Sequence, residues 1–291
     1  MASLCCLAAA IAAPYVPSDP NNEFEQWTAD HVSGPILHKA RHYFAIYERH
    51  FRPVRTAVAA RQRTGEQRPL RMLEIGVQSG GSLELWKSYF GEASQLLGLD
   101  INPATERFTS RKRGIKIHLG STSDAAFMHR LVRQLSSQEP LDIVIDDGSH
   151  HSLDIWRAFT ALYPLVRIDG GVYLVEDLHT NYWMNGEFQE RGQNFSFVNR
   201  AKALVDEMNA YDAVDPRHNK KHFRRGARAP LQELAPTAFT NSTASIHFYN
   251  GVVVIEKQLR TGPFEDVLVG SQKTPHHFRE HKRPEGTPAA V

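Results

Sequence analysis

The amino-acid sequence predicts a doubly wound α/β fold, a mainly parallel sheet with helices on both faces that ends in an antiparallel β-hairpin. Three observations carry this expectation. Short apolar runs bounded by Gly, Asp or Pro alternate with helical periodicity between residues 71 and 175, which is the pattern of βαβ units. The run Ile143-Val144-Ile145 is continuously apolar, as a strand covered on both faces must be. Near the end, Asn250-Gly251 separates two apolar runs, and that dipeptide favours a hairpin because a type I′ turn needs positive φ at both central positions.

The elements begin after an apolar stretch, Ala2 to Ala13, that has no Lys or Arg ahead of it and falls short of the roughly 20 residues of a bilayer-spanning helix. It reads as a tail rather than a secretion signal, and residues 1–28 as a flexible N-terminal segment. Across 38–51, Ala40, Tyr43, Phe44, Tyr47 and Phe51 form one face of an amphipathic helix that Pro53 should end. A polar linker over 61–69 leads to five expected strands at 71–75, 96–101, 115–119, 141–146 and 171–175. Phe127, Leu131 and Leu135 mark a helix over 124–135, and Ile155, Phe159 and Leu162 mark another over 153–163. A further helix over 195–208 and the hairpin over 244–257 complete a domain expected at 29–260. The stretch 261–291, rich in Pro, His and charge, is expected to be disordered.

Composition narrows the function. The 291 residues hold 34 Lys plus Arg against 32 Asp plus Glu, and a formal charge of +2 creates no general field for nucleic acid. The only cysteines are Cys5 and Cys6, so neither a disulfide-stapled core nor a Cys-based zinc site is available. No stretch has the length and apolarity of a membrane span. The reading is an ordinary globular cytoplasmic protein with a small-molecule partner, homo-oligomerisation being left open.

Two constellations carry chemistry. From Glu74 to Ser82 the sequence runs Glu-Ile-Gly-Val-Gln-Ser-Gly-Gly-Ser where the first strand turns into a helix, and Gly76 and Gly80 admit a ligand that a Cβ would exclude. The loop is not the full G-x-G-x-x-G phosphate cradle, and the acidic Glu74 suits a cationic amino-acid portion better than a pyrophosphate. Asp100 ends the second strand 24 residues past Gly76, an interval at which a carboxylate accepts both hydroxyls of a ribose. Its alternative is a turn cap before Asn102-Pro103. Ser121 and Thr122 follow the third strand, where hydroxyls can bond an adenine edge, or where Ser121 or Ser123 can cap a helix. Together these positions favour S-adenosylmethionine over NAD.

The second constellation joins Asp146-Asp147-Gly148-Ser149-His150 at the end of the fourth strand to Glu176-Asp177 at the end of the fifth. Neighbouring strands lie about 5 Å apart, so Asp147, Glu176 and Asp177 would crowd at one rim and need a cation or raised pKa values. An all-oxygen set selects Mg²⁺, Mn²⁺ or Ca²⁺ over zinc. His150 reaches the same space, and imidazole is suited to removing a hydroxyl proton, although a structural histidine is the alternative. A nicotinamide-dependent oxidoreductase has no use for three converging carboxylates. A non-catalytic cofactor- or sugar-binding protein would not need His150 beside them. The basic loop from Arg217 to Arg228 reads either as a solvated loop or as a phosphate clamp for an anionic acceptor.

Beyond these readings, several stretches resemble the metal-dependent macrolide-sugar O-methyltransferases, class I S-adenosylmethionine-dependent enzymes with a Rossmann-like sheet. They are Tyr47-Glu48-Arg49-His50-Phe51, Glu74 to Val77 with Gly80 to Leu83, Gly98 to Ile101, Asp146 to His150, Glu176-Asp177 with Thr180 to Trp183, and His247-Phe248-Tyr249. The resemblance implies magnesium on Asp147, Glu176 and Asp177, His150 as base, and Ser82 and Asp100 on S-adenosylmethionine, with Asp147 also close to that cofactor. It further implies a sugar or glycoside hydroxyl as acceptor, on a glycosylated natural product. Two departures stand out: Ser121 occupies a position that is usually acidic in the family, and the residues before Leu73 are too few for the auxiliary domain of the macrolide enzymes.

Overall fold

A computed structural model describes residues 15–183, 188, 195–214, 234–263, 267, 269 and 270. Five parallel strands, β1 (Arg71–Ile75), β2 (Gln95–Asp100), β3 (Ile115–Leu119), β4 (Ile143–Asp146) and β5 (Val172–Val175), are joined by two antiparallel ones, β6 (Thr243–Tyr249) and β7 (Val252–Lys257). They form one seven-stranded sheet in the order β3-β2-β1-β4-β5-β7-β6. The doubly wound expectation with its terminal hairpin is therefore met.

Alternation along each strand sends neighbours to opposite faces, and both faces are covered. Ile143 and Ile145 pack with Phe51 and Trp86 under α1 (Glu23–Asp30), α2 (Tyr43–Arg63) and α3 (Gly81–Phe90). Val144 faces the other way, with Leu131, Phe159 and Ala201 from α4 (Ala125–Ser136), α5 (Ser152–Leu162) and α6 (Phe197–Met208). A short α7 (Ala210–Val214) follows.

Three local expectations need correction. Pro53 does not end α2, which continues to Arg63. Pro53 is exposed while Phe51, Val54 and Val58 are buried, so packing of the apolar face outweighs the roughly 3 kcal/mol that an interior proline costs. The boundary expected at residue 28 falls inside α1, where Asn22 caps the helix by accepting from the backbone of Phe24 and Glu25 at 3.0 and 3.1 Å. Phe24 is fully buried and stacks on Tyr89 with ring centroids 4.0 Å apart, which ties α1 to α3. The hairpin turn is not type I′: Gly251 has φ +74°, whereas Asn250 is not in the positive-φ region. Its shape answers to tertiary contacts, since the Gly251 carbonyl accepts from Leu178 N at 2.9 Å and the Asn250 carbonyl lies 2.8 Å from His42 Nε2. The basic loop at 217–228, the apolar stretch at 2–13 and most of 261–291 lie outside the described residues.

Candidate active site

The strand order reverses between β1 and β4, the switch point at which open α/β sheets bind ligands beyond the carboxyl ends of their strands. A cavity of about 470 Å³ opens there, within the range of small-molecule sites. Its rim is under backbone tension. Among the described residues, Gln78, His150 and Asp177, in the loops after β1, β4 and β5, are the positive-φ non-glycine residues, at 49°, 59° and 53°. Such conformations persist only where their surroundings impose them.

On one side the loop after β1 meets the loop after β4. Gly76 has φ +88°, and a Cβ there would lie 2.0 Å from the Asp147 carbonyl oxygen. Asp100 holds this loop: Oδ2 accepts from the backbone N–H of Val77 and Gln78, each at 2.9 Å, and Oδ1 accepts from Asn102 N at 2.8 Å. Asp100 is thus a loop anchor and a turn cap, and it also lines the cavity with Gly76, Ser82, Ser121, Thr122 and Asp147. Two residues expected on the cofactor do not line it. Glu74 is 1% exposed and accepts from Ser82 Oγ at 2.7 Å, beneath the floor. Gly80 starts α3 at φ +79°, where a Cβ would fall 2.6 Å from the Phe108 ring. The α4 cap is Asp124 rather than Ser121 or Ser123, which bond each other at 2.7 Å.

On the other side β4 and β5 pair in parallel, with Asp146 opposite Val175. Asp147, Glu176 and Asp177 do converge, but they are not equivalent. Lys39, only 3% exposed, places Nζ 2.7 Å from Asp147 Oδ2, 2.8 Å from Glu176 Oε2 and 3.8 Å from Glu74 Oε1. Burial alone would lower its pKa, yet the charges of Asp147, Glu176 and Glu74 hold it well above the ordinary lysine value. Glu176 accepts from the Tyr47 hydroxyl at 2.6 Å through its second oxygen. Burial pushes its carboxyl up to about 8 despite Lys39. Burial also pushes Glu74 up to about 7. The Tyr43 hydroxyl donates to Asp177 Oδ1 at 2.7 Å. His150 Nε2 stands 3.8 Å from Asp177 Oδ2.

Asp147, Glu176 and Glu74 face the Lys39 ammonium and Asp177 lies close to Asp147 at the cavity, an oxygen-rich set that suits a divalent cation. Asp147, His150 and Asp177 present ligand atoms within 4.8 Å of one another at the cavity. Glu176 stands behind them with both oxygens engaged. Sequence reasoning missed Lys39, Tyr43 and Tyr47. The two tyrosines left a trace, because a buried phenol needs a partner for its hydroxyl and the apolar face of α2 offers none. Lys39 left none, its partners being 108 and 137 residues away.

No protein-family model matches the chain. Among curated proteins it is 32% identical over 227 residues to the mycinamicin VI 2''-O-methyltransferase of Micromonospora griseorubida, a match spanning 74% of this chain and 48% of that protein. It is 33% identical over 229 residues to the 8-demethyl-8-alpha-L-rhamnosyl tetracenomycin-C 2'-O-methyltransferase of Streptomyces olivaceus, over 76% of this chain and 51% of that one. Among solved structures it resembles the MycE methyltransferase of the mycinamycin biosynthetic pathway in complex with Mg, SAH and mycinamycin VI. That likeness has a TM-score of 0.60 and 27% identity, and covers 83% of this chain and 55% of that one. The chain thus spans about half the length of the relatives that it matches, and over that part it is similar to these sugar O-methyltransferases in sequence and shares their class I methyltransferase fold.

Proposed function

We propose that this chain transfers a methyl group from S-adenosylmethionine to a hydroxyl of a sugar or glycoside, with magnesium or manganese held by Asp147 and Asp177 and supported by Glu176. The observation that carries this reading is a cavity lined on one side by Gly76, Ser82, Asp100, Ser121 and Thr122 and on the other by Asp147, His150 and Asp177. Glu176 joins such an ion only by giving up Lys39 or Tyr47, whereas Asp147 and Asp177 already face the cavity. The relatives are named for glycosylated natural products, so a deoxysugar on such a scaffold is the first acceptor to test. Among the described residues no helix is long and apolar enough to cross a membrane. The reading places the enzyme in the cytoplasm with its methyl donor.

When bound, S-adenosylmethionine supplies a methyl carbon on a sulfonium, and the divalent ion acidifies an acceptor hydroxyl. The chain does the rest. Asp100 and the loop that it anchors position the donor, and Ser121 and Thr122 stand where the third strand presents hydroxyls to the base. His150 would take the proton of the acceptor hydroxyl, leaving its oxygen as the nucleophile toward the methyl group that the bound donor would supply. The reacting atoms must be held about 3–3.5 Å apart, so orientation supplies much of the rate. Lys39 and Tyr43 fix the carboxylates that define the acceptor position.

Labelled methyl transfer onto a panel of sugars, glycosides and catechols tests the reading. Transfer to a vicinal-diol sugar that stops with EDTA and returns with Mg²⁺ is expected. Undiminished transfer in excess EDTA would remove the metal, and binding of NAD in place of S-adenosylmethionine in a thermal-shift assay would remove the activity.

A further inference from the structure

Three residues further along α2 from Tyr47, a second cluster of ligating side chains lies outside the cavity. His50 comes from α2, His247 from β6 and Glu256 from β7, and their ligand atoms all lie within 4.8 Å of one another. His50 Nδ1 is 2.8 Å from Glu256 Oε1, and His247 Nε2 is 3.2 Å from Glu256 Oε2. The two imidazole centroids are 4.7 Å apart. Methyl transfer uses none of the three. We propose that His50, His247 and Glu256 form a transition-metal site, zinc being the ion that it fits best, and that this site pins α2 to the terminal hairpin.

Donor chemistry decides the class of ion. Two imidazole nitrogens and one carboxylate oxygen suit zinc and its first-row neighbours, whereas magnesium prefers oxygen donors with near-octahedral geometry. The cluster therefore differs in kind from the carboxylate-rich rim of the cavity. Its surroundings are also those of a ligand set. A ligating imidazole is normally oriented by a partner on its other nitrogen, and His50 Nε2 lies 2.8 Å from the Tyr249 hydroxyl. Ser245 Oγ donates to Glu256 Oε2 at 2.7 Å, which orients that carboxylate, and lies 2.9 Å from His247 Nε2, a contact that an ion on this nitrogen would replace. Each neutral imidazole bound to the ion keeps one ring proton on its other nitrogen, and on His50 that nitrogen faces the Tyr249 oxygen.

Access and burial are divided sensibly between the ligands. The His50 side chain is 2% exposed, which makes it the rigid base of the site. Those of His247 and Glu256 are each 34% exposed, so an ion can arrive from solvent and a water can complete a tetrahedron. The consequence reaches the cavity, because α2 also carries Tyr43 on Asp177 and Tyr47 on Glu176.

The test uses the untagged full chain carrying Asp147→Asn and Asp177→Asn, which disables the cavity's own carboxylates. Zn²⁺ is titrated by calorimetry and Co²⁺ by its visible spectrum, both in excess Mg²⁺. One equivalent of zinc, a tetrahedral cobalt spectrum and a raised Tm are expected. Adding His247→Ala should weaken zinc binding by more than about tenfold, because even outer-shell losses cost 10–100-fold. Circular dichroism should show the fold retained, since His247 is partly exposed; should it unfold, His247→Gln replaces it. No zinc binding, or binding undiminished by the His247 substitutions, would overturn the site. Because no methyl transfer is measured, failure here and failure of the proposed activity are separately visible.

Discussion

The two sides of the cavity are built differently. On the β1–β3 side the organising contacts are close in sequence and run from a side chain to backbone: Asp100 reaches Val77 and Gln78 across 23 and 22 residues. On the β4–β5 side they are distant and run between charged or polar side chains. Lys39 reaches Asp147 and Glu176 across 108 and 137 residues, and Tyr47 and Tyr43 reach across 129 and 134. The first side is a loop geometry that a short motif can specify. The second is a charge balance that only the packed fold can assemble, and α2 with the segment ahead of it is what assembles it.

Four substitutions would break or sharpen this contrast, the largest expected effect first. His150→Ala should lower turnover by roughly 10²–10⁴-fold, the usual worth of a positioned base, while S-adenosylmethionine binding by calorimetry stays near parent. Near-parent turnover at saturating Mg²⁺ would make His150 structural and send the search for the base to His151 or His179. Lys39→Met leaves buried Glu176 and half-buried Asp147 without their cation and should cost about 3–5 kcal/mol of stability in chelator, read by urea unfolding. Mg²⁺ should restore part of it. If Lys39→Met unfolds like the parent chain in chelator, Lys39 is not the counter-ion of the cluster.

Asp100→Ala should weaken cofactor affinity by about 1–3 kcal/mol, since two loop N–H groups and the ribose lose their acceptor. Metal affinity should hardly move, because Asp100 belongs to the other side of the cavity; an equal loss of both would dissolve the contrast. The smallest effect is expected at Asp146, whose buried carboxyl is pushed up from 3.8 to about 7 by desolvation. The folded chain then keeps a proton that the unfolded chain releases. This contribution is complete below the ordinary carboxylate range and is lost as pH rises through about 7. Asp146→Asn should therefore stabilise at pH 8 by about 1 kcal/mol, some 2–4 °C in Tm, and have little effect at pH 5. Equal shifts at both pH values would show that Asp146 is ionised throughout.

The same division explains what could be read in advance. Strand positions, the β4–β5 adjacency and the cavity-lining Gly76, Asp100, Thr122 and His150 follow from local pattern and from the rule that ligands gather at the carboxyl ends of parallel strands. Glu74 and Gly80 were placed on the cofactor because motif position does not say whether a side chain points into a cavity or beneath it. The expected stop at Pro53 failed for a related reason: local propensity loses to a buried apolar face.

The sequence alone determined the alternation of strands and helices, the hairpin and the gathering of Asp147, Glu176 and Asp177 at one rim, because periodicity and strand ends are local properties of the chain. Only the tertiary structure decided which carboxylates face the cavity and which are neutralised. Lys39, Tyr43 and Tyr47 do that from the segment that precedes the sheet in sequence, and hydrogen bonds across more than a hundred residues exist only once packing has brought those elements together.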